Sequence, residues 1–293
     1  MWWYRLYLSF SYFSIVGTTV HKAANLPTDL VADEHHIRIR GKKAYVATTA
    51  GDNCFLGMHV SWQADEISLT DSYGVYKEEA LDIDPDYQPN SVNTDGWQAT
   101  QNTWKSLFPN IVVLECFLHA FLKVRDRATK KLQDFFNTAG DKIWECYEAI
   151  NKKSLAQKIR RLKEWATDQL PDCAMKDNIL KFCKKKKRWM EHFAHPLAHR
   201  TSNMIDRLMR AMKKHAFNSQ MFHGKNIYST SRNFRAFALL YNFSPSCPAV
   251  TNKHEKLVSP AARLNGFVYH ENWLQNLLIA ASLGGYRNHR KML

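Results

Sequence analysis

The first third of the chain alternates polar and apolar residues in a pattern that predicts a β-meander. LVADEHHIRIR (residues 30–40) alternates, with Ile37 and Ile39 separated by polar residues, and the β-branched run AYVATTA (44–50) and the segment CFLGMHVSW (54–62) follow it. Gly41 and the pair Asp52-Asn53 stand between these segments as turn signals. Residues 30–62 therefore predict three antiparallel strands.

Helical spacing appears twice in the next fifty residues. Bulky side chains recur on one face within 65–81 and again within 97–108, namely Leu69, Tyr73 and Tyr76, then Trp97 and Trp104. A short strand is predicted at 91–94 (SVNT), and the continuous apolar run IVVLECFL at 111–118 is typical of a buried strand. The predicted order is βββ-α-β-α-β, a mixed α/β sheet, which is the element order of an RNase H-like fold.

Basic helical segments dominate the middle of the chain. Residues 120–193 are rich in Lys and Arg, with Trp144, Trp165 and Trp189 as predicted apolar anchors. Beyond Arg200 a further helix is predicted at 202–217, followed by a Ser/Asn/Pro-rich tail that ends in a short helix around 273–283. We therefore expect an all-helical insertion and a helical C-terminal part.

Composition narrows the class of protein. With 45% hydrophobic residues the chain can build a core, which excludes disordered and collagenous classes, and six cysteines are too few for a disulfide scaffold. No glycine-rich phosphate loop or nucleophile elbow is present, which argues against an NTPase or a serine hydrolase. Residues 1–118 contain 8 Lys+Arg and 14 Asp+Glu, whereas residues 119–293 contain 33 and 13. The strongly basic second part favours a polyanionic partner such as nucleic acid.

The aromatic N-terminal segment, residues 2–16, is shorter than the ~20 apolar residues of a membrane span and is interrupted by Arg5. We expect it to be buried or to face a partner. The sequence predicts a soluble cytoplasmic protein without a membrane partner.

Three aspartates occupy the positions where an RNase H-like fold carries its catalytic carboxylates. Asp33 lies in the first strand, Asp95 at the end of the fourth, and Asp206 on the helix after the basic region. Two Mg²⁺ ions that bridge a scissile phosphate need carboxylate oxygens held on different elements. Each aspartate also has an ordinary interpretation. Asp33 could be a polar residue next to a turn, with Glu34 as the residue that matters instead, Asp95 could be a turn residue, and Asp206 could pair with Arg210 on the surface. The joint placement of the three acids favours the site.

The residues around these acids resemble a known family. TDG at 94–96 before a tryptophan-bearing helix, CFLH at 116–119 and TSNMIDRL at 201–208 look like a DDE-type transposase of bacterial insertion sequences. Cys116 and His119 are similar to the C/D-x-x-H signature of the Mutator-like branch, and Asn203 stands three residues before the third acid as it does there. Lys213, seven residues after Asp206, matches a cation that many of these enzymes use to hold DNA.

The resemblance implies a mechanism and partners. Asp33, Asp95 and Asp206 would hold two Mg²⁺ (or Mn²⁺) ions, supported by Cys116, His119 and Asn203. The enzyme would cleave transposon ends and transfer the strands into double-stranded DNA, acting as a dimer or higher oligomer on the nucleoid. Predicted DNA contacts are basic residues of two segments, Arg210 and Lys213 in one, and Lys184, Lys185, Lys186, Lys187 and Arg188 in the other. Such a run is more commonly a solvated helix face.

Two departures from the family pattern qualify these expectations. The third acid is Asp206 where the family usually has Glu, so Glu191 is the alternative. Only 32 residues precede Asp33, which suggests a copy truncated before its DNA-recognition module. The alternative functions are an inactive DNA-binding regulator and an RNase H-like nuclease.

Four segments are predicted along the chain. Residues 1–29 are a remnant of the DNA-binding region, 30–119 the first part of the catalytic core, 120–199 the basic insertion, and 200–293 the last catalytic helix with a C-terminal extension. The insertion also clusters possible zinc ligands, but their spacing lacks a CxxC pair, so no structural zinc is expected: Cys173, Cys183, His192, His195 and His199.

Overall fold

The computed structural model describes residues 2–219, 227–253 and 257–285. It is a mixed α/β protein with a five-stranded mixed sheet and about 59% helix, which confirms the predicted class. Within these residues no helix combines the length and the apolar character needed to cross a membrane.

Two helices precede the sheet, α1 (Trp2–Ser9) and α2 (Ile15–Thr19), with 3₁₀ turns at Phe10–Tyr12 and Ala23–Asn25. α2 begins where the Ser14 side chain accepts a hydrogen bond from the backbone of Gly17. Its apolar side chains are buried, so the expected burial of the N-terminal segment is confirmed for its second half, whereas Tyr4 in the first half is exposed.

The predicted meander consists of β1 (Asp29–Ile39), β2 (Lys42–Gly51) and β3 (Cys54–Ser61), paired antiparallel. Both connections are two-residue hairpin turns whose residues have positive φ: Arg40 and Gly41, then Asp52 and Asn53. Such turns match the right-handed twist of the strands. In this register Asp33 of β1 stands directly opposite Thr48 of β2.

The second half of the sheet alternates with helices as predicted. α3 (Glu66–Leu81), β4 (Ser91–Thr94), α4 (Gln98–Leu107) and β5 (Val112–Glu115) follow β3, and the strand order is β3-β2-β1-β4-β5. The interface between α3 and α4 is aromatic, with Tyr73, Tyr76, Trp104 and Phe108 buried together.

The fifth strand is shorter than predicted. It ends at Glu115, and the remainder of the run enters α5 (Phe117–Arg125) because the Cys116 sulfur accepts the His119 amide and so begins a helix. An apolar run of this length is compatible with either structure.

The chain divides into two compact units. Unit 1 comprises Met1–Val92, Trp97–Val112 and Asn203–Leu293; unit 2 comprises Asn93–Gly96 and Val113–Ser202. The basic insertion predicted at 120–199 therefore falls inside unit 2.

Unit 2 is helical beyond the end of β5, as the basic segments predict. After α5 come a 3₁₀ turn (Lys130–Leu132) and four helices: α6 (Gln133–Tyr147), α7 (Lys152–Gln169), α8 (Ala174–Lys184) and α9 (Lys186–Glu191). Of the three predicted anchors, Trp189 is fully buried against Phe117 and Phe182, while Trp144 and Trp165 are half-buried.

In the predicted tail, the described residues up to 285 form four helices where the sequence predicted one. After α10 (Asn203–Ser219) come α11 (Ile227–Phe243), α12 (Pro248–Thr251), α13 (Pro260–Asn265) and α14 (Trp273–Gly284). α11 is largely buried, and its polar residues are used internally: Asn242 bonds the backbone of Phe55 in β3, and Arg235 pairs with Glu79. These polar residues obscure its helical pattern in the sequence.

Candidate active site

Two adjacent carboxylates of β1 lie on opposite faces of the sheet. Glu34 accepts hydrogen bonds from Tyr73 Oη at 2.6 Å and Thr100 Oγ1 at 2.8 Å, so it faces α3 and α4. Side chains alternate along a strand, which places Asp33 on the other face, together with Val31. Val31 packs in the cluster that includes α10 and α11. Glu34 is therefore a core-anchoring residue, and Asp33 is the candidate metal ligand.

α10 crosses the face of the sheet that carries Asp33. Its first turn is fixed at the β2–β3 connection, where the Asn53 amide donates to Met204 Sδ at 3.2 Å and Arg207 donates to Asn53 Oδ1 at 3.1 Å. Further along, Thr48 Oγ1 contacts Met209 Sδ at 3.8 Å. The helix therefore runs antiparallel to β2.

This path brings Asp206 to the neighbourhood of Asp33 within unit 1. Asp206 lies between Met204 and Met209, the two anchors of α10 on β2, and Thr48 beneath Met209 is the residue opposite Asp33. Both aspartates are partly exposed. Two of the three predicted acids thus belong to elements that pack together on one face of the sheet.

A polar stripe continues along α10 from these carboxylates. Asn203, Asp206, Arg210 and Lys213 are spaced three, four and three residues apart and so share one side of the helix. The pKa of His35, which lies on the same sheet face as Asp33, is lowered to about 4, first by burial and then by the positive charges of Lys213 and His36. The charge of Lys213 therefore lies close enough to His35 of β1 to affect its protonation.

The position of Lys213 gives a direct test of this stripe. In Lys213→Gln the pKa of His35 should rise, because one of the charges that oppose its protonation is lost, yet stay below 6.5, because burial remains. Titration of the imidazole proton resonances by NMR measures the change. Lys214→Gln is the matched control, since Lys214 is exposed and does not contribute to this shift. An equal shift in both variants would contradict the orientation of α10.

Asp95 lies in unit 2, in a tight turn at the end of β4. Gly96 has φ +91°, and a Cβ there would lie 2.7 Å from Glu115 Oε1, so only glycine fits. The turn is held by the Cys116 amide, which donates to the carbonyl of Thr94 at 2.7 Å. Asp95 is thus a turn residue, as its simplest interpretation from the sequence predicted. The turn also fixes the position of Asp95.

Glu115 is a buried carboxylate that the sequence analysis did not single out. It is 3% exposed, and Lys185 and Arg188 both pair with it, the latter at 3.2 Å. Two cations of the run at 184–188 are therefore bound within the protein. One signal in the sequence could have suggested this pairing. Glu115 is the lone acid of the apolar run at 111–118, and the chain carries a cluster of cations at 184–188.

The predicted Cys116–His119 pair forms a hydrogen-bonded network with Ser202. Cys116 Sγ accepts the Ser202 amide at 3.1 Å and contacts Ser202 Oγ at 3.4 Å, and that hydroxyl lies 3.4 Å from His119 Nδ1. Burial raises the pKa of the Cys116 thiol, but the hydrogen bonds from His119 and Ser202 outweigh it, and the net pKa is lowered.

This network fixes the residues that lead into α10. The carbonyl of Arg200 accepts the Phe117 amide at 3.1 Å, and the carbonyl of His199 accepts Asn93 Nδ2 at 2.7 Å. Asn93 and Ser202 are thus the residues of this network that the sequence analysis missed. Glu191, the alternative third acid, is the exposed last residue of α9.

The donor chemistry of the two aspartates in unit 1 fits Mg²⁺. Across residues 2–219, 227–253 and 257–285, no three His, Cys, Asp or Glu side chains are grouped closely enough to hold a metal ion. Mg²⁺ commonly binds through one or two carboxylates and completes its shell with water and substrate phosphates. Asp33 and Asp206 are ligands of this chemical type.

Neither the protein-family models nor the curated proteins include a match to this chain.

Proposed function

We propose that this protein is a DDE-type transposase with an RNase H-like core, which cleaves transposon ends and joins them to target DNA. The observation that carries the proposal is the path of α10, which brings Asp206 over the sheet face that carries Asp33. The element order of the sheet and the TDG, CFLH and TSNMIDRL motifs support the same function.

We assign the binding of Mg²⁺ or Mn²⁺ to three aspartates. Asp33 and Asp206 are the proposed ligands in unit 1, and Asp95, whose backbone is fixed by the Gly96 turn, is the proposed ligand in unit 2. Bound divalent ions supply charge neutralisation at the scissile phosphate and lower the pKa of the attacking water. The side chains of Arg210 and Lys213 would bind the non-bridging phosphate oxygens of the DNA, since they follow Asp206 along the same stripe.

The reaction needs no covalent enzyme intermediate. The oxygen of water attacks the phosphorus, and the 3′ oxygen leaves and takes a proton, which generates a free 3′-hydroxyl at the transposon end. That hydroxyl then attacks a phosphorus of the target strand in line and displaces another 3′ oxygen, so one phosphodiester forms as one breaks. The role of the protein is to hold both strands and the ions in position. We expect the protein to act as a dimer or higher oligomer on the two transposon ends. We expect this reaction to take place in the cytoplasm.

Cleavage and joining of DNA by the full chain test this proposal. The substrate is a labelled duplex that carries the sequences flanking the coding region, incubated with Mg²⁺, Mn²⁺ or EDTA and an unlabelled target plasmid. We expect metal-dependent nicks with 3′-hydroxyl ends and labelled plasmid products, both lost in Asp95→Ala. Equal cleavage by Asp95→Ala would show that the assignment of Asp95 is wrong. Hydrolysis without joining would indicate a nuclease, and binding without cleavage would indicate a DNA-binding regulator.

A further inference from the structure

The five consecutive cations at 184–188 serve two different purposes. Lys185 and Arg188 pair with the buried Glu115. Lys184, Lys186 and Lys187 are exposed and line a groove on the other side of the same segment. The run is therefore divided into two cations that pair with Glu115 and three that line the groove.

The opposite wall of this groove is one face of α7. Its lining residues recur at helical spacing, and three of them are exposed cations, Lys153, Arg160 and Lys163. Buried Ile159 and Cys183 form the floor of the groove, which has a volume of about 590 Å³. Burial raises the pKa of the Cys183 thiol to about 12, and Lys163 acts against that shift, which indicates that the Lys163 charge is close to the floor.

The charge of the groove has little internal compensation. Six cations line it and no acid does. Glu164 pairs with Arg160 at 3.4 Å, but both side chains are well exposed, so this pair is weak. Within unit 2 the groove is therefore a concentrated positive field, which attracts a polyanion.

The length of the groove and the residues that line it favour duplex DNA over single-stranded nucleic acid. Lys153 and Lys163 are ten residues apart, about 15 Å along the helix axis, and duplex DNA carries one phosphate per strand about every 3.4 Å. A wall of this length therefore spans more than one phosphate of a strand. Single-stranded nucleic acid is usually held on aromatic platforms, and no lining residue is aromatic.

We propose that the groove between α7 and the α8–α9 segment binds the phosphate backbone of duplex DNA without reading its sequence. The inference rests on the proposed function in one respect only, namely that the bound duplex is DNA. It adds Lys153, Arg160 and Lys163 to the DNA-binding residues and removes Lys185 and Arg188 from them.

A charge-matched pair of triple variants of the full chain tests this inference. The groove variant is Lys153→Gln/Lys163→Gln/Lys186→Gln. The control is Arg127→Gln/Lys130→Gln/Lys131→Gln, which removes the same charge from exposed residues of unit 2 outside the groove. Binding is measured in EDTA by fluorescence anisotropy, with a labelled random-sequence duplex and with the same strand unpaired, between about 50 and 200 mM salt. Thermal melting verifies that both variants are folded.

We expect the groove variant to reduce the slope of log affinity against log salt by about 2 to 3, since each lost phosphate contact contributes about 0.9. The control should reduce it by less than about 1. Equal losses in the two variants would overturn the proposal, as would a groove-dependent preference for the unpaired strand. Groove-dependent binding in this assay, together with no cleavage in the separate assay with Mg²⁺ or Mn²⁺, would refute only the proposed enzyme. Cleavage with an unaltered salt slope would refute only the groove.

Discussion

Asp33→Asn is expected to reduce metal-dependent DNA cleavage by at least about 10²- to 10³-fold, whereas Glu34→Gln should leave the rate little changed. A metal ion contributes several kcal/mol of transition-state stabilisation, and each ~1.36 kcal/mol is tenfold in rate. Asn removes the charge that holds the ion but keeps the size of the side chain. The measurement is single-turnover cleavage of the flanking-sequence duplex with Mg²⁺.

Glu34 is a stringent control because it adjoins Asp33 on the same strand and carries the same charge. Gln at this position retains an oxygen that can accept from Tyr73 and Thr100, which bind the carboxylate at 2.6 and 2.8 Å. A large loss in Glu34→Gln with full activity in Asp33→Asn would reverse our assignment of the two faces. Unchanged far-UV circular dichroism in both variants would show that the losses are not due to unfolding.

The order of the sheet elements could be predicted because local signals agreed with one another. The strand pattern predicted β1 to β3, and the turn signals at Gly41 and at Asp52-Asn53 indicated where each hairpin closes. Helical spacing predicted α3 and α4, whose aromatic side chains pack together. In these segments propensity, periodicity and turn chemistry favour the same structure.

Segments whose structure depends on distant contacts could not be predicted. α11 carries Arg235 and Asn242 on buried faces, and only their partners elsewhere in the chain, Glu79 and the backbone of Phe55, make that burial possible. The end of β5 likewise depends on a sulfur that begins a helix. Periodicity contains no information about such partners.

The candidate site likewise has features that could be predicted from the sequence and features that could not. Its residue types and order were readable from the motifs, and the structure adds the face of β1 on which each acid lies. The supporting contacts were not readable: Ser202 is 86 residues from Cys116, and Glu115 is 70 residues from Lys185. Pairing over such separations is fixed by topology, and one sequence does not reveal it.

Glu79→Gln and Arg235→Met should each lower the free energy of unfolding by about 3 to 5 kcal/mol, because each leaves a buried charge without its partner. Both side chains are 2% exposed, and Arg235 donates to Glu79 Oε1 at 2.7 Å. The other carboxylate oxygen accepts from Ser14 Oγ and the Val16 amide, which connects the N-terminal segment to α3. Urea denaturation followed by circular dichroism measures the losses.

The double variant Glu79→Gln/Arg235→Met should be more stable than either single variant. It buries no charge, and the amide oxygen introduced at position 79 can still accept from Ser14 and Val16. Arg232→Met is the control on the same helix: Arg232 lies half-exposed over the Tyr12 ring, 4.4 Å from its centre, a contact whose loss should cost about 1 kcal/mol. If the losses of the two single variants simply added in the double variant, the pair would not be energetically coupled.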